Sequence, residues 1–336
     1  MKVVRVLVLL FFGMIWLAGC SNEILATLYR NEIIPDDYRY GDLYRLANLE
    51  EFKDPKAECP ELPVSKPTQK IALYIIGDSF TEKQRIDSSD FAVTTYTWAH
   101  WGENLHFKLD TTFHNIILLE SVERNVRPHF GAPIANIFPD SSTFITLPSD
   151  TRIMQRLDRM FASDGVEDRL NTILFQFDHM LKFREMKSWI NQRFFDRTDP
   201  KVTLSGDGST LAYYEDTDST LINSSYNYVS DTEIDSLVAV INFNKKYLKK
   251  LGFDDVWFSI IPNKATVLMP TYGTYNRIID RISRHPKLMV PNIGVMNEFR
   301  KMKQNAYLIG DSHWSCAGQR IWLEKVNLLV LGNSDI

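Results

Sequence analysis

The chain has 336 residues, 44% hydrophobic and 24% charged, enough to bury a large core as one big domain or two small ones. A net charge of −4, with lysines and arginines scattered rather than blocked, excludes nucleic-acid binding as the main task. The absence of long like-charge runs or low-complexity tracts argues against extended disorder.

Residues 1–20 read as a targeting segment rather than part of the fold. Lys2 and Arg5 form a short positive head and Val6 to Leu17 an apolar core. Leu17-Ala18-Gly19-Cys20 then places small residues before a cysteine. The apolar stretch is short against the roughly 20 residues that span a bilayer. The closing tetrapeptide resembles the lipobox of bacterial lipoproteins. That resemblance implies cleavage before Cys20 and lipid on its thiol. The mature protein would then be held at a membrane of the cell envelope, facing periplasm or exterior. A plain secretory signal or a short uncleaved anchor is the alternative. Of the remaining cysteines, Cys59 and Cys316 form either one disulfide, as an exported protein permits, or two separate thiols.

Residues 21–68 are an N-terminal segment and linker. Ile24 to Arg30 suits a short helix, Pro35-Asp36-Asp37 a turn, and Pro55, Pro60, Pro63 and Pro67 an extended stretch. A main domain over 69–336 follows, with an insertion at about 150–230. Ile71 to Ile76 is an unbroken apolar run, the signature of a strand buried on both faces in a parallel sheet. Asn115 to Leu119, Val256 to Ile261 and Ala306 to Ile309 are further candidate strands. Arg152 to Arg197 reads as two helices broken at Asp164-Gly165, and Lys201 to Asp216 as a hairpin around Gly206-Asp207-Gly208. Asp231 to Lys250 is an amphipathic helix with a capping box at Ser230–Glu233 and a stop at Gly252. Strands alternating with helices predict an α/β fold around a mostly parallel sheet.

The tetrapeptide Ile-Gly-Asp-Ser occurs twice, at Ile76–Ser79 and Ile309–Ser312. Ser79 follows its strand where sites gather in open α/β sheets. If Phe80 to Lys83 begin a helix, its free N–H groups lie near the hydroxyl, and the Ser79 N–H is one oxyanion donor. An ordinary turn of Gly, Asp and Ser is the competing reading. Asp311 and His313, two apart, face one side of an extended segment and leave Ser312 facing away. A carboxylate beside an imidazole fixes its tautomer, so Ser79, His313 and Asp311 supply the parts of a nucleophilic triad. Trp314 is either a sugar platform or core, and the same choice applies to Tyr96, Trp98 and Trp101. His100, His106 and His114 lack metal-ligand spacing, and no cofactor or metal is expected.

Gly77-Asp78-Ser79-Phe80 resembles the nucleophile block of the SGNH (GDSL) hydrolase superfamily. Asp311-Ser312-His313-Trp314 resembles the Asp-x-His-Trp block of its alginate O-acetyltransferase-like branch. Ile116 to Asn125, a strand running into Glu123-Arg124, and Ile260 to Lys264, a strand running into a Pro-x-Lys turn, are similar to two further blocks of that branch. The likeness covers residues 70–330 as four short blocks, with the serine first as in ordinary SGNH hydrolases. It implies a three-layer, flavodoxin-like α/β/α fold, a Ser79–His313–Asp311 triad and ester chemistry on envelope glycans. Ordinary members carry Gly-x-Asn after a central strand. Here Glu123-Arg124-Asn125 stands there, and Gly102-Glu103-Asn104 precedes that strand. Arg124 or Asn125 then supplies the second oxyanion donor, or Arg124 pairs with Glu120 or Glu123. Lys264 is read as structural.

The expectation is a membrane-anchored serine esterase or O-acyltransferase acting on an acylated carbohydrate. The alternative is a non-catalytic glycan-binding or assembly lipoprotein on the same scaffold.

Overall fold

The computed structural model describes residues 2–64, 67, 69–139 and 165–332. Among these the helices are, in chain order, α1 (Lys2–Gly19), α2 (Asn22–Arg30), α3 (Asp42–Ala47), α4 (Val126–Phe130), α5 (Val166–Phe175), α6 (Asp178–Phe195), α7 (Tyr214–Thr217), α8 (Asp231–Lys250), α9 (Lys264–Leu268), α10 (Ile278–Ser283), α11 (Met296–Met302) and α12 (Cys316–Val330). The strands are β1 (Ile71–Gly77), β2 (Thr95–His100), β3 (Leu105–Phe107), β4 (His114–Val122), β5 (Ile137–Pro139), β6 (Val202–Leu204), β7 (Leu211–Tyr213) and β8 (Asp255–Ile261). The chain divides into two compact units, one of residues 57–143 and 199–336, the other of residues 1–56 and 144–198. The β6–β7 hairpin, at the end of the insertion expected at about 150–230, belongs to the sheet unit, and α5 and α6 to the other.

In the sheet unit, apolar runs become the central strands of a parallel sheet ordered β2-β1-β4-β8. β1 pairs with β4 from Ile71↔His114 to Ile76↔Leu119, and β4 with β8 from Ile116↔Asp255 to Val122↔Ile261. Nearly every residue of β1, β4 and β8 is buried, as strands covered on both faces must be. Adjacent residues of β8 identify the covering layers, because successive side chains point to opposite faces. Phe258 meets Phe130 of α4 edge-on, and α4 packs with α8. Ser259 accepts a 3.0 Å bond from the Trp322 indole of α12. Helices thus flank both faces. The outer edge of β8 is closed by residues 291–293: Phe258 N–H donates to Pro291 C=O and Ile293 N–H to Phe258 C=O.

Several expected elements are borne out, with small shifts of boundary. α2, α8, β1, β4, β8 and the β6–β7 hairpin stand where the patterns place them. Ser230 Oγ caps α8 by accepting from Glu233 N–H, while the Glu233 carboxylate pairs with Arg127. Four expectations change. The strand at 306–309 is a 3-10 turn over Lys303–Ala306 running into a loop, with one bridge between Tyr307 and Trp314. Its carbonyls are satisfied by a side chain instead of a neighbouring strand, as detailed below. The chain after Ser79 forms turns rather than a helix, because the Thr81 hydroxyl is drawn onto Glu120. The break expected at Asp164-Gly165 lies at the edge of the described residues. Gly165 caps α5, the observed helix break is at residues 176–177, and the part over 152–164 lies outside the description. Finally, β2 is a strand that the apolar-run criterion passes over. It is an edge strand with alternate residues exposed, so it carries Thr-Tyr-Thr-Trp rather than a continuous apolar run.

In the other unit, Arg169 of α5 donates to the Gly19 carbonyl at the end of α1 (2.5 Å). Glu185 of α6 accepts from Lys53 (2.7 Å) and from the Tyr44 hydroxyl of α3 (2.5 Å).

Candidate active site

Gly77 ends β1 where a side chain has no room. A Cβ there would stand 2.1 Å from Thr81 Oγ1 and 2.7 Å from Glu120 Oε2. The close approach lets the chain turn under the sheet rim, with Thr81 N–H donating to the Asp78 carbonyl (3.0 Å). Glu120 of β4 holds this turn from below. Its Oε2 accepts the Asp78 N–H (2.7 Å) and the Thr81 hydroxyl (2.9 Å), and Trp98 of β2 donates to the same hydroxyl. Burial, reinforced by the neighbouring Asp78 carboxylate, pushes the Glu120 carboxyl well above the usual carboxylate range. Asp78 itself faces β4, accepting from Val122 N–H (2.7 Å) and from the Asn125 side-chain amide (3.1 Å).

Ser79, half-buried, is left pointing at the opposite chain end. Its Oγ lies 2.8 Å from His313 Nε2, and His313 Nδ1 lies 2.5 Å from Asp311 Oδ1. Asp311 Oδ1 also accepts the His313 backbone N–H (3.0 Å), a local turn that fixes the carboxylate beside its own imidazole. Because a carboxylate only accepts, Nδ1 carries the proton and Nε2 takes the Ser79 hydroxyl hydrogen. Phe80 packs against the imidazole with ring centroids 4.7 Å apart and meets Trp314 edge-on. Asp311 and His313 are both buried.

The loop bearing this pair is gripped by Lys264, wholly buried at the first turn of α9. Its Nζ donates to the carbonyls of Leu308 (2.8 Å), Ile309 (2.7 Å) and Asp311 (3.1 Å). The Tyr307 hydroxyl donates to the Pro262 carbonyl (2.7 Å), a second tie between the end of β8 and the loop. A Cys59–Cys316 disulfide with Cα atoms 5.2 Å apart pins the linker three residues beyond His313.

The remaining expected site residues separate. Asn125 stands at the nucleophile turn through its bond to Asp78. Arg124, read as either an oxyanion donor or an ion-pair partner of Glu120 or Glu123, meets a different carboxylate. Its Nη1 bonds the fully buried Asp216 carboxylate (2.8 Å), supplied by α7 just after the β6–β7 hairpin. Glu123 instead ties the end of β4 to that of β8, accepting from Asn263 N–H (2.9 Å) and the Thr266 hydroxyl (2.6 Å). Burial pushes its carboxyl up to about 7. Trp314 is core, 3% exposed, so the sugar-platform reading is withdrawn. Trp98 and Trp101 are structural props: the Trp101 indole donates to the Glu120 carbonyl and its ring stacks on His129. Thr81, Glu120 and Asp216 are site-supporting residues that sequence reasoning missed. A buried polar residue at the end of an apolar strand, as Glu120 is, was the available signal.

Set beside known proteins, the chain matches no family model, no curated protein and no solved structure.

Proposed function

We propose that the chain is a serine esterase or O-acyltransferase that moves acyl groups, acetyl above all, on an envelope carbohydrate. The observation that carries this reading is the continuous relay of Ser79, His313 and Asp311, with separations of 2.8 and 2.5 Å, assembled from residues 234 positions apart. His313 Nε2 takes the proton as Ser79 Oγ attacks the ester carbonyl, and Asp311 steadies the imidazolium. The oxyanion falls to the Ser79 N–H, which donates to no protein acceptor among the described residues, with the Asn125 amide as second donor. Asn125 has one amide hydrogen on Asp78 and a second to offer. Arg124, engaged by Asp216, is assigned to structure in this scheme. His313 returns its proton to the leaving alkoxide, and Ser79 is left acylated. Water or a sugar hydroxyl then gives its proton to His313 and attacks the acyl carbon. The acyl group passes to that oxygen, and His313 reprotonates Ser79.

The envelope setting is supported by α1, an apolar N-terminal helix of the length and composition of a signal sequence or anchor. Cleavage before Cys20 and lipid on its thiol is the specific form proposed. Acetyl-ester turnover by purified protein, with and without oligosaccharide acceptors, tests the enzyme reading. Ser79→Ala and His313→Ala should each lose activity by about 10⁴-fold or more. Undiminished turnover in either variant sinks it.

A further inference from the structure

The unit that carries α1 also presents an unusual helix, α6. Its inner face is settled by contacts: Leu181 and Glu185 are buried, with Glu185 held by Lys53 and Tyr44. At about 100° per residue, the opposite face is centred on Phe183, Lys187, Ile190 and Phe194. Trp189 and Met186 flank that stripe, and with Phe183, Phe194 and Phe195 each is more than half exposed. Lys182, Lys187 and Arg193 interleave with these apolar side chains and are exposed too. Such a surface is costly in water and marks a place where the protein meets another phase or molecule.

Its composition and place point to one occupant. Large aromatic side chains bordered by lysine and arginine suit the boundary between acyl chains and anionic headgroups, where long basic stems lie along apolar surface and keep their charge wet. The place agrees. Arg169 of α5 bonds the last residue of α1, and the seven residues from there to Gln176 span roughly 10 Å at helical rise. Two residues, Gln176 and Phe177, then lead into α6. The helix therefore starts close to Cys20, where the chain would meet a membrane.

We propose that α6 lies in the surface of an anionic bilayer as a second membrane contact beside the N-terminal anchor. This rests on the membrane-tethered reading above and is independent of the enzymatic one. A single acyl or peptide tether leaves a protein free to swivel and to leave, and a second signal makes attachment stable.

The test uses the unprocessed full chain, with α1 still attached, reconstituted in vesicles of phosphatidylethanolamine and phosphatidylglycerol. A hydrophobic diazirine dissolved in the acyl chains is photolysed, and labelled residues are mapped by mass. Label is expected on α1 and, with helical spacing, on Phe183, Met186, Ile190 and Phe194, while Leu181 stays unlabelled. The triple variant Lys182→Glu/Lys187→Glu/Arg193→Glu should lower α6 label by on the order of tenfold and leave α1 label intact. These residues are exposed, so the fold should be unaffected, as circular dichroism will confirm. Label on α1 alone overturns the proposal, as does cross-linking of α6 between two copies without lipid label. In this unprocessed chain, label on α6 without α1 keeps the proposal and removes the reading of α1 as a membrane segment. Label on neither removes both.

Discussion

Replacing Lys264 by methionine separates the loop's grip from its chemistry. The ammonium is wholly buried and donates to three carbonyls between 2.7 and 3.1 Å away. Its desolvation costs several kcal/mol, and three bonds from a charged donor return about 1.5–3 kcal/mol each, so the net of the intact arrangement is small. Methionine fills similar volume, which keeps any cavity term low. It leaves the buried Asp311 carbonyl and the partly covered carbonyls of Leu308 and Ile309 without their donor, at about 1–3 kcal/mol for a buried group and less for the others. With some relaxation and entry of water, the expected loss is roughly 3 kcal/mol. At a urea dependence of about 3 kcal/mol per molar, this moves the unfolding midpoint down by about 1 M. The same change frees the segment carrying Asp311 and His313, so acetyl-ester kcat should fall by about 100-fold with little change in KM. A midpoint within about 0.2 M of wild type, together with unaltered turnover, would refute the claim that Lys264 organises the loop.

Two further outcomes are expected. Glu123 has a folded-state pKa of about 7 against an ordinary 4.5, so the native state holds this proton more tightly than the unfolded chain does. Its contribution is complete below pH 4.5 and is lost as pH rises through about 7, a change of about 3 kcal/mol. Glu123→Gln keeps an acceptor for Asn263 and Thr266 and should remove that decline. Glu120 pulls the same way in both proteins, so the difference between their stability–pH curves isolates Glu123, and parallel curves would contradict the assignment. Separately, Cys20→Ala should abolish incorporation of labelled fatty acid and leave the N-terminal segment uncleaved in a bacterial host. Persistent fatty-acid label would place the lipid elsewhere.

The centre of the fold was legible because the sheet's inner strands bury both faces and so announce themselves as unbroken apolar runs. β2 was not, since an edge strand shows only alternation, and its aromatics face a turn rather than a sugar. The triad was legible as residue types but not as a place. Ser79 and His313 meet only because β1 and the segment after α11 converge at one rim, which no local pattern encodes. Long-range pairs such as Arg124 with Asp216 were hidden for the same reason: nearer carboxylates in sequence, Glu120 and Glu123, are already committed to Asp78, Thr81, Asn263 and Thr266. The Cys59–Cys316 bond settles a choice that spacing alone left open.

The two Ile-Gly-Asp-Ser copies show how the same letters divide one task. After β1, the backbone leaves a sheet, so Asp78 finds Val122 N–H on the adjoining strand and becomes a staple, which leaves Ser79 as the outward group. In the second copy no strand runs alongside among the described residues, and Lys264 takes the carbonyls of Leu308, Ile309 and Asp311. Asp311 turns back onto its own chain two residues on, caps the His313 N–H and faces the imidazole with the same oxygen. The aspartate is therefore architectural in one copy and electrostatic in the other. The serine is presented in one and buried in the other. The identity of the residues sets what each position can do, and the availability of a backbone partner decides which of those roles it takes.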